Sequence, residues 1–191
     1  MRFTILAAEW NAKLVALAKV MNSKVALPIY STFLLELKDG VLRITASDMD
    51  CSRCSTLPVM DMDRANEHNG SLCVTASFLL DSLKNLGDQP VTFEADEENL
   101  SVVIRYNNGQ FDMVGFPAKD YALPGTMGKS VQVTIEASVL NDSIGKSLYA
   151  VGNDDLRPIF SGIYFTKKGD ELQCATTNGS MFCLLYTSPS P

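Results

Sequence analysis

Histidine and tryptophan occur once each in the 191 residues, and no stretch approaches the ~20 consecutive apolar residues of a membrane span. The lone His68 sits in the polar run Asn66-Glu67-His68-Asn69-Gly70 with no nucleophile beside it to activate, so it reads as a solvated loop residue. Positive charge is scarce as well. Sixteen Lys+Arg stand against 22 Asp+Glu, a formal net charge of -6, which excludes a protein that coats nucleic acid or anionic membrane by bulk charge. Any polyanion must be met by a local basic patch. The opening run Met1–Glu9 is too short in apolar residues before its first carboxylate to read as a signal peptide, so the cytoplasm is the expected compartment. Five cysteines, an odd number, are then expected as reduced thiols. Cys51-Ser52-Arg53-Cys54 has the spacing of half a zinc site or a redox pair, but no second pair or His cluster completes it, so neither metal nor cofactor is expected.

What the chain does have is a 46% apolar composition, enough for a real core, and strong periodicity. Alternation predicts a strand at 2–6, followed by a helix at 8–21 with Trp10, Leu14, Leu17 and Met21 on one face. Strands are predicted at 30–37, 41–47 and 52–59, the first two joined at Lys38-Asp39-Gly40. The order then recurs: a strand at 71–75, a helix at 76–86 carrying Leu79, Leu80, Leu83 and Leu86 on one face, and strands at 90–95, 99–106 and 110–115. The fold class is therefore α+β, built from repeated strand-helix-three-strand units with helices on one face of antiparallel sheets. Residues 1–125 are expected to form one domain of two such units.

A longer period appears when the sequence is displaced by 130 residues. Thr4, Ile5, Ala7, Asn11, Pro28, Ile29, Ser31, Lys38 and Leu42 then meet identical Thr134, Ile135, Ala137, Asn141, Pro158, Ile159, Ser161, Lys168 and Leu172 without a gap. Residues 126–182 are expected to begin a second domain, whose full copy would run past the end of the chain. The last residues, 183–191 (Cys-Leu-Leu-Tyr-Thr-Ser-Pro-Ser-Pro), break the pattern and resemble a translated sequencing adapter, so they are expected to stand outside the fold.

The charge distribution shows where a basic patch could lie. Residues 1–60 hold seven bases and five acids, 61–130 five and eleven, and 131–191 four and six. Between Trp10 and Lys24 the only charges are Lys13, Lys19 and Lys24, and helical spacing sets Lys19 nearly opposite the core face, with Asn11 and Asn22 beside it. This face is either a contact for a polyanion or simply a solvated helix surface. Enzymatic readings are weaker. Gly128-Lys129-Ser130 and Gly145-Lys146-Ser147 look like the end of a phosphate-binding loop, but the earlier glycine such a loop needs is Leu123 in one case and Leu140 in the other. Asp48 and Asp50 read as a strand end and turn.

Several runs resemble one family: Leu27-Pro28-Ile29, Phe33-Leu34-Leu35-Glu36-Leu37-Lys38-Asp39-Gly40-Val41-Leu42, Thr45-Ala46-Ser47-Asp48, Phe116-Pro117-Ala118-Lys119-Asp120-Tyr121, Leu156-Arg157-Pro158-Ile159-Phe160-Ser161-Gly162 and Ala175-Thr176-Thr177-Asn178-Gly179. In order and spacing they resemble the beta subunit of bacterial DNA polymerase III, the replicative sliding clamp. The resemblance implies a DNA clamp fold and a ring of two subunits, each of three similar domains. Such a ring encircles double-stranded DNA without regard to sequence and catalyses nothing. It implies a basic DNA contact at Lys24, just before Leu27-Pro28, which makes the cationic face of Lys19 and Lys13 on the first helix, Lys84 on the second helix and Arg157 in the second repeat the further candidates for DNA contact. The family's basic residue at the start of the second helix is Ser77 here, and Asp154 would repel phosphate.

The resemblance further implies that Phe111 and Met113 lie at the homodimer edge. Phe160, Thr177, Gly179 and Phe182 match one wall of a cleft that accepts short apolar peptides from the polymerase catalytic subunit and the clamp loader. The usual His-Arg after that glycine is Ser180-Met181 here. A non-clamp repeat module that binds peptides at a sheet edge is the alternative; it would share the fold and lack the basic helix face.

Overall fold

The structure, a computed structural model, describes residues 1–21, 27–48, 51–60, 69–123, 133–153, 156–169 and 171–187. The chain divides into two compact units, Met1–Thr126 and Met127–Pro191.

In the first unit the predicted strands and helices form close to their expected bounds: β1 Arg2–Leu6, α1 Ala7–Ala18, β2 Thr32–Lys38, β3 Val41–Ser47, β4 Ser52–Pro58, β5 Gly70–Thr75, α2 Ala76–Leu83, β6 Pro90–Ala95, β7 Ser101–Tyr106 and β8 Gly109–Val114. Helix α1 stops three residues short of expectation. Val20 N–H donates to the Leu17 carbonyl and Met21 N–H to the Ala18 carbonyl, the tighter three-residue turns that close a helix. The β2–β3 hairpin turns on Asp39 (φ 50°) and Gly40 (φ 75°), the two left-handed residues that a strand-matching two-residue turn demands. A short 3-10 turn, Pro28–Ser31, takes the first residues assigned to β2.

Strand pairing departs from the simple reading of two self-contained units. All ladders are antiparallel, but the sheet orders are β1-β6-β7-β8 and, with the short strand β9 (Phe116–Pro117) at its end, β4-β3-β2-β5-β9. Each half-unit therefore gives its opening strand to the other half's sheet: Phe3 lies opposite Phe93, and Leu35 opposite Leu72. The sheets are tied again where the strands run out. Met60 N–H, just past β4, donates to the Thr4 carbonyl of β1 at 2.8 Å. Past β8, the unpredicted strand β9, Phe116–Pro117, pairs with β5.

Both helices touch each other and cover the inner faces of the sheets, where Phe3, Trp10, Phe33, Leu35, Leu79, Phe93 and Ile104 form part of one buried core. Phe3 stacks on Phe93 with centroids 4.9 Å apart, and Trp10 meets both rings edge-on. Burial of each such side chain contributes roughly 1.5–3 kcal/mol. A smaller cluster of Tyr30, Leu34, Cys73 and Tyr121 is buried separately. Burial there pushes the Cys73 thiol up to about 12 and the Tyr121 hydroxyl up to about 12.

The second unit contains α3 Ala137–Ser147 and the antiparallel sheet β10 Tyr164–Lys168, β11 Glu171–Thr177 and β12 Phe182–Thr187. The 130-residue period holds closely here: β3 at 41–47 corresponds to β11 at 171–177, and the 3-10 turn Pro28–Ser31 to Pro158–Ser161. The period fails where β1 would have its copy, and the tail departs from expectation. Residues 133–136 form no strand, because β1, their counterpart, pairs only with β6, and among the described residues of this unit nothing plays the part of β6. Residues 183–187, expected outside the fold, form most of β12: their alternation buries Cys183, and the ladder pairs Thr176 with Cys183 and Ala175 with Leu184.

Candidate nucleic-acid interface

Helix α1 buries Ala7, Trp10, Leu14 and Leu17 and turns Lys13 to solvent. Lys19, the residue that closes the helix, is exposed too, and neither lysine is in an ion pair among the described residues. Lys24 lies outside the described residues. Asn11 does not join the exposed polar face as expected, because its Oδ1 is buried without a hydrogen-bond partner. Lys84 follows α2 as its closing residue, and its charge is locally offset: its Nζ donates to Asp81 Oδ1 at 2.8 Å. The expected cation on the second helix is thus a surface pair. Both partners are more than half exposed, and such a pair adds little stability.

One cation that motif spacing passed over also reaches the helix layer. Arg53 of β4 donates from Nη1 to the Ala16 carbonyl of α1 at 3.0 Å. The signal was present in the alternation. Arg53, Ser55 and Leu57 share one face of β4, and Leu57 is in the core.

Phe111 and Met113 lie on β8, the edge strand of the four-stranded sheet. Both are half-buried against the core, Phe111 stacked on Tyr106 at 5.0 Å, while Gln110, Asp112 and Val114 turn outward. The edge thus presents free backbone groups and an outward row in which Val114 is 70% exposed, and Phe111 and Met113 back it from inside.

In the second unit Arg157 lies exposed with its guanidinium 5.0 Å from the Phe160 ring centroid. That contact turns Arg157 toward an aromatic face. Phe160 belongs to the Pro158–Ser161 turn, and its carbonyl accepts from Gly152 N–H at 2.7 Å. A Cβ on Gly152 would lie 3.2 Å from Phe160 Cβ and 3.4 Å from Asn178 Cβ, so Phe160 and the Thr177–Gly179 corner converge on this glycine. Thr177 Oγ1 donates to the Met181 carbonyl and accepts from Gly179 N–H, and Gly179 has φ +90°, a conformation that favours glycine. Phe182, opposite Thr177 at the start of β12, is 64% exposed, and Ile159 beside Phe160 is 85% exposed.

Cys51 and Cys54 are exposed free thiols, and no group of three or more metal-capable side chains exists among the described residues. Gly145-Lys146-Ser147 is the last turn of α3, not a loop, and Lys146 pairs with Asp142 at 2.7 Å. Asp48 Oδ1 accepts from Cys51 N–H, as a turn residue does. His68, Asp50 and Gly128-Lys129-Ser130 lie outside the described residues.

The family model for the DNA polymerase III beta subunit, N-terminal domain, matches residues 1–124. The chain belongs to the DNA polymerase III beta-subunit family. It is 25% identical to the beta sliding clamp of Bacillus subtilis (strain 168) over 187 residues, covering 96% of this chain and 49% of that relative. The DNA polymerase III subunit beta of Pseudomonas aeruginosa superposes with a TM-score of 0.89 at 22% identity, over 98% of this chain and 50% of that one. A sliding clamp of the same organism bound to griselimycin gives 0.89 at 22% identity, over 99% and 50%. The fold is therefore the α+β clamp fold of this beta-subunit family, and the chain spans about half the length of the curated relatives it matches. Among the described residues no helix is long and apolar enough to cross a membrane.

Proposed function

We propose that the subunit to which this chain belongs is a non-catalytic sliding clamp that closes as a homodimeric ring around duplex DNA in the cytoplasm. It tethers the replicative polymerase there for processive synthesis. Residues 1–125 act as one clamp domain, and those from 126 belong to the next. The observation that carries the reading is the helix layer. In a chain of net charge -6, Lys13 and Lys19 stand exposed on and at the end of the helix that the sheets back, without an ion-pair partner among the described residues, and the family match covers residues 1–124. A ring retained by topology needs only a few weak phosphate contacts, which lets it slide. The family resemblance adds a contact at Lys24, Arg157 contributes from the second repeat, and Lys84 contributes only what Asp81 leaves.

The edge strand with Phe111 and Met113 behind it is the proposed dimer contact. The partly exposed corner of Phe160, Thr177, Gly179 and Phe182 is one wall of the cleft for short apolar peptides from the polymerase and the clamp loader. The complete subunit, loaded on nicked circular DNA, should remain bound in salt and be lost when the circle is linearised. Equal loss from circles and linear DNA would refute the reading.

A further inference from the structure

Resting on the DNA-facing assignment of the helix layer, we propose that Arg53 is a pre-positioned phosphate-binding residue for duplex DNA, held in place by the end of α1. Three observations converge. The strand alternation puts Arg53 on the helix-covered side of β4 although its side chain is exposed, so the guanidinium emerges at the margin of the helix layer. Its Nη1 is anchored on the Ala16 carbonyl at 3.0 Å. Ala16 lies three residues from Lys13 and three from Lys19, on the arc of helix surface between them, so the anchor holds the Arg53 guanidinium against the same stretch of helix that carries both. Its charge is also uncommitted. The other described arginines of this unit are paired, Arg2 and Arg105 with Glu94 and Arg43 with Glu36, whereas Arg53 has no carboxylate partner among the described residues.

The anchor uses one of the five N–H donors of the guanidinium fork, which leaves donors to bind two phosphate oxygens side by side. A helix carbonyl can hold the group without neutralising it, which a carboxylate cannot. Fixing the side chain in advance also spares part of the rotamer entropy that an unanchored lysine must lose on binding. Arg53 thus makes a third cation in a cluster that Lys13 and Lys19 start.

The test uses the 191-residue chain, a short DNA duplex at low salt and the Arg Nε–H resonances as the readout. The Arg53 resonance should shift on titration while those of Arg2, Arg43 and Arg105 stay. Arg53→Gln should lower the log–log salt slope of binding by about 0.9, and Arg53→Lys should restore most of the slope but not the affinity. If the amides of residues 13–20 move with DNA while the Arg53 resonance and the Arg53→Gln slope do not change, Arg53 only closes the helix and the inference fails, with the DNA-facing reading intact. If neither Arg53 nor residues 13–20 respond, the helix-layer reading fails and takes the inference with it.

Discussion

The exchange of opening strands between the two halves of the first unit can be tested by coupling Phe3 to Phe93. These rings lie 90 residues apart in sequence, directly opposite in register and stacked at 4.9 Å. If each half folded on its own sheet, they would have no reason to interact. Both are essentially fully buried, so truncation to Ala would cost about 3–5 kcal/mol each, a large share of the roughly 5–15 kcal/mol that a domain holds. Leucine is the better probe. Phe3→Leu and Phe93→Leu keep most of the volume and should each cost about 1–2 kcal/mol, with the aromatic contacts among Phe3, Phe93 and Trp10 lost. The double variant should be less destabilised than the sum by about 0.5–1.5 kcal/mol, the stacking shared by the pair. Urea unfolding followed by the fluorescence of Trp10, the chain's sole tryptophan and fully buried in this unit, reads the transition without interference from the second unit. Additivity within about 0.3 kcal/mol would refute the exchanged pairing.

Gly115→Ala should destabilise the first unit by about 1–3 kcal/mol, because its Cβ would fall 2.6 Å from Leu72 Cδ2 and 2.9 Å from the Cys73 carbonyl; an unchanged urea midpoint would refute the tight entry into β9. Asp81→Asn should release the Lys84 ammonium and steepen the salt dependence of DNA binding by up to about 0.9 in log–log slope, with thermal stability changed little; an unchanged slope removes Lys84 from the interface. The Cys73 thiol keeps its proton in the folded state up to about 12, whereas an unfolded thiol loses it near 9, so the unfolded chain binds fewer protons between those values. Stability is therefore unaffected below pH 9 and falls as pH rises from 9 toward 12. Cys73→Ala should flatten that alkaline decline in urea titrations, and a decline of the same steepness would show that Cys73 is not its source.

Local pattern was enough to place most elements. Apolar alternation and turn signals marked β1 to β8, the leucine spacing marked α2, and the 130-residue displacement set β11 in register with β3. These signals are local because side-chain periodicity follows directly from backbone geometry, two residues per repeat in a strand and 3.6 in a helix. Alternation reports which face of a strand is buried, not which strand lies beside it. Partner choice is made by contacts far apart in sequence, and so the exchange of β1 and β5 and the two-residue strand β9 were decided only by the tertiary fold.

The candidate site divides the same way. That Lys19 falls nearly opposite the core face could be read from spacing alone, as could the placing of Phe111 and Met113 on one side of a strand; that this strand is an edge could not. Whether a cation is available could not. Lys84 is offset by Asp81 one turn away, a pairing that helical spacing permits but does not enforce. Arg53 comes to the helix layer only because β4 runs beside α1 and sets a guanidinium against the Ala16 carbonyl, 37 residues away in the chain. Charge type is a property of the residue, but its freedom to act depends on neighbours that only the folded chain brings within hydrogen-bond reach.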